Sequence, residues 1–255
     1  MAIRNAFLIG LLALSLASCA STSKKRAADS EKDPQYQYEK AVVALRYNLP
    51  DQAIEYLNQT LALNPNFAPA LELLGYTHFQ KKNFGDAAAA YQKFLELQPN
   101  NSKARVSLGV VYEELGKPDQ AEEEYKKADT IDGNPDAGYS LAKLYFGQNK
   151  LEPALEYAAK SLAKNSRSVV ALNLQGVILN QMGKYAEALA SFEKAVQVAP
   201  NDISLRVNLG IAYINNKEFA RARETLEKIL PKVEDPVLKV KINEYLKLIK
   251  EKTVP

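Results

Sequence analysis

Apolar residues recur at intervals of three and four positions through most of the chain, and polar residues occupy the positions between them. This spacing predicts amphipathic helices, because a strand would need strict alternation. The predicted helices come in pairs: Leu74 lies on a first helix, and Ala87 and Tyr91 lie on a second. We place the turn between these two helices at residues 83–86. The chain is therefore predicted to be all-α and to consist of helical hairpins.

The hairpin pattern repeats with a period of about 34 residues. An alanine marks the second helix of each repeat, and successive alanines are 34, 34, 33, 34 and 34 residues apart, at Ala53, Ala87, Ala121, Ala154, Ala188 and Ala222. A Leu-Gly or Gln-Gly pair recurs in the first helix of most repeats, and a proline closes several of them, at Pro65, Pro99 and Pro200. Small residues allow two helices to cross closely, and proline ends a helix because it lacks an amide donor and clashes with the preceding turn.

This pattern resembles the tetratricopeptide repeat. The resemblance implies an all-α fold, a right-handed α-solenoid of six helical hairpins at residues 34–67, 68–101, 102–134, 135–168, 169–202 and 203–236. A C-terminal capping helix is expected at residues 237–255. Its apolar residues would cover the last hairpin, and its outer face would be polar.

The first residues of the chain are predicted to be a targeting segment rather than part of the fold. Arg4 precedes an apolar run that is too short to cross a bilayer but suits a signal peptide at residues 1–18. The run ends in Leu-Ala-Ser and then Cys19, which resembles the lipobox of bacterial lipoproteins and implies a lipid on the Cys19 thiol. The alternative is an ordinary secretory signal that happens to contain a cysteine.

Residues 19–33 are predicted to be the lipidated cysteine and a flexible tether, because no large apolar side chain is present to support folding. Ala20 follows the cysteine where an aspartate would favour the inner membrane. The resemblance therefore favours the outer membrane, with the protein facing the periplasm.

Composition argues against catalysis. The chain has one histidine and one cysteine, and the cysteine is the predicted lipid site. Neither a Cys-His pair with a free thiol nor a His-rich metal site is therefore expected. We expect His78 to be a packing residue, and Glu122, Glu123 and Glu124 to form a solvated helix face with nearby lysines. No enzyme activity, cofactor or metal is predicted. The net charge of +3 does not indicate a nucleic acid partner.

In the tetratricopeptide family, the first helices line a concave face that binds partner proteins. Carrying over the second, fifth, ninth, twelfth and thirteenth helix positions predicts a largely apolar and aromatic groove. Its principal residues would be Tyr38, Val42, Glu72, Tyr76, Phe79, Val110, Tyr139, Lys143, Phe146, Asn173, Val177, Asn180, Ile211 and Ile214. Leu45, Arg46, Gln80, Lys103, Val106, Glu113, Val207 and Asn215 would complete it. We expect about half of these residues to pack between neighbouring helices. An extended peptide or an amphipathic helix of an envelope protein would suit the remainder.

A lipobox, a short tether and six repeats together resemble the pilotin lipoproteins of type IV pili, the PilW/PilF type. That resemblance implies a lipid-anchored scaffold that binds the pilus secretin and assists its localisation or assembly. Another envelope adaptor, serving outer-membrane protein assembly or peptidoglycan enzyme recruitment, is the alternative. An enzyme subunit would need a catalytic group outside the repeats, and neither the tether nor the final helix offers one.

Overall fold

A computed structural model of the protein describes residues 31–253. The predicted signal peptide, Cys19 and most of the predicted tether lie outside these residues. Within them, all regular structure is helical, with thirteen α-helices and one short 3-10 helix at Leu230–Lys232. The α-helices are α1 Pro34–Arg46, α2 Pro50–Leu63, α3 Ala68–Gln80, α4 Phe84–Leu97, α5 Ser102–Glu114, α6 Pro118–Asp132, α7 Pro135–Gly147, α8 Leu151–Lys164, α9 Val169–Gln181, α10 Tyr185–Val198, α11 Ile203–Asn215, α12 Phe219–Ile229 and α13 Pro236–Thr253.

The chain divides into two compact units, which meet in sequence at Pro99 and Asn100. In the first unit, α1 packs against α2 and α3 packs against α4. In the second unit, α5 to α12 form four further hairpins, and α13 packs against α12 and α11. Each first helix of the second unit after α5 also contacts the second helix of the preceding hairpin. The expectation of an all-α fold of hairpins is confirmed.

Each hairpin turn contains one residue in the left-handed backbone region. These residues occupy equivalent places in the six turns: Asn48, Lys82, Gly116, Asn149, Gly183 and Lys217, with φ between 56° and 74°. Glycine adopts this conformation without steric cost, whereas a lysine there crowds its own Cβ against the backbone. The turn after α3 is only three residues long, so the prediction that Phe84 belongs to it was wrong: Phe84 begins α4.

The two helices of a hairpin cross where a small residue faces a large one sixteen positions later. In the third hairpin, a Cβ atom added to Gly109 would lie 2.4 Å from Cε1 of Tyr125, a ring that is fully buried. The same spacing joins Gly176 to Phe192 and Gly210 to Leu226. The recurring glycines are therefore required by packing, as the sequence pattern suggested.

One charged residue departs from the expectation of a solvated face. Glu124 on α6 is buried, and its Oε2 lies 2.7 Å from Nη1 of Arg105 on α5. Glu123, one position earlier, is exposed and pairs with Lys127 of its own helix, which also pairs with Glu124. Glu124 points towards α5 because its position on the helix faces the partner helix of the hairpin, so the carboxylate is paired rather than solvated.

The last helix covers the end of the second unit. Ile242 and Ile249 of α13 are completely buried in a cluster that includes Leu226 and Ile229 of α12. This burial agrees with a capping role. The outer face of α13 is largely polar, as expected, but Val237, Val240 and Leu248 are also exposed.

Candidate partner-binding faces

The predicted groove residues of the second unit recur at the fifth, ninth and twelfth positions of α5, α7, α9 and α11. We call these positions the second-unit face. It comprises Val106, Val110, Glu113, Tyr139, Lys143, Phe146, Asn173, Val177, Asn180, Val207, Ile211 and Ile214. All are half-buried except Lys143, which is exposed, and Val207, which is 6% exposed. Val207 therefore belongs to the core, and its assignment to a binding surface was wrong.

Side-chain hydrogen bonds join neighbouring first helices along the second-unit face. Nζ of Lys143 on α7 lies 2.8 Å from Oε2 of Glu113 on α5. The Asn208 amide on α11 donates to Oδ1 of Asn173 on α9 at 2.8 Å. These bonds place the first helices of consecutive hairpins side by side on one surface.

A second amide pair lies two helical turns further along the same two helices. Asn215 donates to Oδ1 of Asn180 at 2.7 Å. Each side-chain amide has two N–H donors and one acceptor oxygen with two lone pairs, so one mutual bond leaves donors and acceptors in each pair for a ligand. The sequence indicated Asn173, Asn180 and Asn215 individually. It did not indicate Asn208, because Asn208 is the sixth residue of α11 and the prediction used only the second, fifth, ninth, twelfth and thirteenth positions.

Several apolar members of the second-unit face also support the core. Val177, Ile211 and Ile214 pack against the cluster of buried residues formed by α9 to α13. Their remaining surface is accessible, as expected for residues that combine packing with contact to a partner. Phe146 and Tyr139 of α7 are likewise half-buried.

The first unit has a smaller predicted face, on α1 and α3. Tyr38 and Val42 of α1 are half-buried, as is Phe79 of α3, whereas Glu72 and Tyr76 are exposed, Tyr76 by 50%. Burial, and secondarily the negative charge of Glu72, raises the pKa of Tyr38 above its usual value, so its hydroxyl stays neutral. The five side chains offer two phenol rings, one phenyl ring, one isopropyl group and one carboxylate to a partner.

Sequence reasoning missed a second surface of the first unit. Tyr36, Val43, Tyr47 and Tyr56 line a cavity of about 410 Å³ between α1 and α2, and Nζ of Lys40 lies 4.3 Å from the centre of the Tyr56 ring. A signal for it was present in the repeat. Residues 34 positions after Tyr36, Val43 and Tyr56 are alanine, threonine and alanine, and all three are buried.

The only histidine lies at the hairpin of α3 and α4. Nδ1 of His78 is 3.8 Å from Oδ2 of Asp86, and its side chain is 14% exposed. Burial lowers the pKa of His78 below 6.5, and the nearby Asp86 charge only partly opposes this effect. Within residues 31–253, no three His, Cys, Asp or Glu side chains are grouped to hold a metal ion. Over the same range, no helix is both long and apolar enough to cross a membrane.

Comparison with known proteins identifies the repeat. A tetratricopeptide repeat profile matches residues 38–102, 74–137 and 139–203, and a second profile of this repeat matches residues 179–239. The chain belongs to the tetratricopeptide repeat family. Tetratricopeptide repeat proteins bind peptides or other proteins, and their hairpins form all-α solenoids. The chain is accordingly a tetratricopeptide scaffold for protein interaction.

Two relatives illustrate how widely this repeat occurs. The type IV pilus assembly protein PilF of Pseudomonas aeruginosa is 29% identical over 155 residues, which cover 59% of this chain and 61% of PilF. The PEX5-related protein of Homo sapiens is 28% identical over 176 residues, covering 64% of this chain and 28% of that protein. The tetratricopeptide chain thus spans less than two thirds of the length of both relatives.

Solved structures agree on the fold. The crystal structure of PilW, described as a widely conserved type IV pilus biogenesis factor, has a TM-score of 0.66 with this chain at 15% identity. The match covers 85% of this chain and 97% of PilW. At this level of identity, the likeness is one of tetratricopeptide architecture alone.

Proposed function

We propose that this chain is a lipid-anchored interaction scaffold of the bacterial envelope that assists type IV pilus biogenesis by binding a segment of the secretin. The observation that carries the binding proposal is the second-unit face. On it, half-exposed apolar and amide side chains recur at equivalent positions of successive first helices. The pilus assignment is supported by the similarity to PilF over 155 residues.

The chemistry of the face suits an extended peptide. Val177, Ile211 and Phe146 offer apolar surface for side chains, which contributes about 25 cal/mol for each Å² removed from water. The amide pairs offer donors and acceptors for the peptide backbone, whose polar groups would otherwise be left unpaired on binding. A segment with alternating apolar side chains would use both sets of groups at once.

Anchoring is proposed to occur through Cys19. A lipid on the thiol, together with a second acyl chain, would hold the protein at the membrane, since one chain alone binds only reversibly. The predicted site is the periplasmic side of the outer membrane. Cys19→Ser should move the full chain from the membrane fraction to the soluble periplasmic fraction, and density fractionation of the wild type should place it with outer-membrane markers. A Cys19→Ser protein that stays with the membranes would contradict the anchor.

The binding proposal can be tested by affinity capture from gently solubilised envelopes. The baits would be the lipidated wild type, a second-unit variant Tyr139→Ala with Phe146→Ala, and a first-unit variant Tyr76→Ala with Phe79→Ala. Tyr185→Ala is the matched control, because Tyr185 is 43% exposed and lies outside every candidate face described above. Thermal melts would establish that each bait is folded.

The secretin should be captured by the wild type and by the control, and lost with the second-unit variant. Capture of outer-membrane assembly or peptidoglycan machinery in its place would replace the pilus assignment and leave the scaffold role intact. Equal capture by all four baits would show that neither predicted face binds the partner.

A further inference from the structure

The first hairpin exposes a surface that the second hairpin buries. We call it the first-hairpin surface, and it comprises Tyr36, Lys40, Val43, Tyr47, Leu49 and Tyr56 around the cavity between α1 and α2. Four of its apolar side chains are well exposed: Tyr36 by 38%, Val43 by 46%, Tyr47 by 75% and Leu49 by 43%. Aromatic and aliphatic groups are thus concentrated on one accessible surface of the first unit.

The second hairpin shows how the repeat treats the same positions. The residues that lie 34 positions after Tyr36, Lys40 and Val43 are all buried. One of them, Leu74 of α3, belongs to the same buried cluster as Leu57 of α2, the preceding second helix. Within residues 31–253, no helix precedes α1. The first-hairpin surface therefore has no equivalent cover in the part of the chain that the structure describes.

A charged residue limits what can cover this surface. Lys40 occupies the place of the buried Leu74, and its Nζ lies 4.3 Å from the centre of the Tyr56 ring and 5.5 Å from that of Tyr36. The same Nζ is 3.2 Å from Oε2 of Glu31. A protein helix that packed here as α2 packs on α3 would remove this ion pair from water, at a large desolvation cost. An occupant that leaves the ammonium group hydrated is therefore favoured.

The side chains of the surface suit a membrane interface. Tyrosine and lysine combine an apolar body with a polar tip, so they bury the body at the boundary of the acyl chains and keep the tip among the hydrated headgroups. Val43 and Leu49 add purely apolar groups beside them. A headgroup layer would thus cover the apolar area and leave the charge of Lys40 in water.

The chain leading from the predicted anchor also arrives at this surface. Oε2 of Glu31 accepts a hydrogen bond from Nε2 of Gln37 at 2.6 Å and pairs with Lys40, so the first described residue is fastened to α1. Glu31 follows Cys19 by 12 positions. Twelve residues span at most about 43 Å when extended and about 20 Å as a coil. Because a pair of packed helices is about 20 Å across, a lipid on Cys19 would keep the first-hairpin surface within reach of the headgroups.

We propose that the first-hairpin surface docks on the headgroup layer of the membrane and holds the first unit with α1 and α2 against the lipid. The inference rests on the proposed lipid anchor at Cys19, which would raise the local concentration of the surface at the membrane. Glu31 offsets the charge of Lys40, and Glu39 lines the same cavity. The contact should therefore depend on apolar area rather than on anionic lipid.

Fluorescence quenching in vesicles tests the contact with the lipidated full-length chain. The vesicles would contain phosphatidylethanolamine and phosphatidylglycerol, with a fraction of the lipids carrying a nitroxide near the headgroup, and flotation would establish that the protein is attached. Cys19 is the only cysteine of the chain, so an introduced cysteine is the only free thiol of the lipidated protein and can be labelled with nitrobenzoxadiazole. Gln52→Cys places this label beside the cavity without removing an aromatic side chain.

Gln120→Cys is the matched control. The sequence Pro-Asp-Gln-Ala occurs at residues 50–53 and again at 118–121, and both glutamines are exposed. The hairpin of Gln120 lacks the surface, because the residues 68 positions after Tyr36 and Val43 are a buried alanine and a buried valine. Nitroxide lipids should quench the label at position 52 about fivefold more strongly than the label at position 120.

Two variants that carry the label at position 52 separate the surface from the tether. Tyr36→Ser combined with Tyr47→Ser should lower the quenching about fivefold at unchanged flotation and melting temperature, because apolar area is lost while the anchor remains. Tyr47→Trp should be quenched at least as strongly as the parent, since tryptophan also favours the interface. Raising the salt from about 0.1 to 0.5 M should leave the quenching of the parent unchanged.

The outcomes separate this inference from the anchor on which it rests. A chain that does not float with the vesicles would contradict the anchor and the docking together. Flotation with equal quenching at positions 52 and 120, or with equal quenching in the parent and the tyrosine double variant, would overturn the docking alone. A label at position 52 that is shielded from water but not quenched by nitroxide lipids would show that a second copy of the chain covers the surface, which also overturns the docking. Loss of quenching at high salt would assign the contact to the basic residues 24–26 and remove the role of the tyrosines.

Discussion

The contact between Gly109 and Tyr125 allows a quantitative test of how the hairpins pack. In Gly109→Ala, the new Cβ would lie 2.4 Å from Cε1 and 2.7 Å from Cδ1 of the Tyr125 ring. Carbon atoms prefer separations of about 3.5–4.0 Å, so the ring or the helix must move by about 1 Å. Tyr125 is fully buried and cannot turn aside into solvent.

The expected loss of stability follows from two opposing effects. Overpacking of a core costs about 1–3 kcal/mol, and alanine in a helix gains about 0.5–1 kcal/mol over glycine. We expect Gly109→Ala to lower the free energy of unfolding by about 1–2 kcal/mol, and the melting temperature by about 2–8 °C for a chain of this size. Gly147→Ala is the control, because no atom lies within 4 Å of the added Cβ. It should be neutral or slightly stabilising.

A compensating variant sharpens the test. The first hairpin has Ala41 and Leu57 at the equivalent positions sixteen residues apart, and both are completely buried. Combining Gly109→Ala with Tyr125→Leu should therefore cost less than the sum of the two single changes, by about 1–2 kcal/mol. Urea denaturation followed by circular dichroism would measure all four proteins. The packing argument fails if Gly109→Ala is as stable as Gly147→Ala, or if the two changes are additive.

Three further predictions concern other contacts. The pKa of His78 in the folded state lies below its unfolded value, so the stability that this residue contributes is present above about pH 6.5 and is lost as the pH falls below it. His78→Phe should therefore show a smaller fall in the urea midpoint than the wild type between about pH 7.5 and 5.5. An identical fall in the wild type and the variant would contradict this. Glu124→Gln should cost about 1–3 kcal/mol because a buried carboxylate that pairs with Arg105 and Lys127 loses its charge. Glu123→Gln, at an exposed position, should leave the urea midpoint unchanged, and equal midpoints in the two variants would refute the distinction. Ile242→Ala should lower the free energy of unfolding by about 2–4 kcal/mol. If the repeats open stepwise from the capped end, amide hydrogen exchange should increase in α11 and α12 before it increases in α5 and α6. A uniform increase in exchange would argue against stepwise opening.

The hairpin architecture could be predicted from the sequence because close helix crossings leave a repeating signature. Ala87 and Ala188 are fully buried, so a larger residue at either position would separate two helices, and the 34-residue period follows directly from that restriction. Pro65 and Pro200 each follow the end of a helix, α2 or α10, by two residues, as expected from their effect on helices.

Other features depend on three-dimensional detail that the period does not contain. Glu124 looks solvated among its charged neighbours in the sequence, but it lies on the side of α6 that packs against α5 and pairs there with Arg105. The exposure of Val240 and Leu248 on α13 was not predicted, because the 34-residue period does not fix the register of the last helix. The pairing of Asn173 with Asn208 was missed because a hydrogen bond between neighbouring helices joins residues offset by one position in the repeat.

The left-handed residue in every hairpin turn has a consequence for engineering. Gly116 and Gly183 adopt this conformation freely, whereas Lys82 and Lys217 adopt it at a steric cost. Replacing these two lysines by glycine should stabilise the chain by up to about 1 kcal/mol each, after allowing for the greater freedom of glycine in the unfolded state. Both lysines lie in turns, and neither side chain is among those proposed to contact a partner, although their backbone amides donate to the carbonyls of Phe79 and Ile214. Stability can therefore be changed by substitutions in the turns, and partner binding by substitutions on the helix faces, so that each property can be varied while the other is held constant.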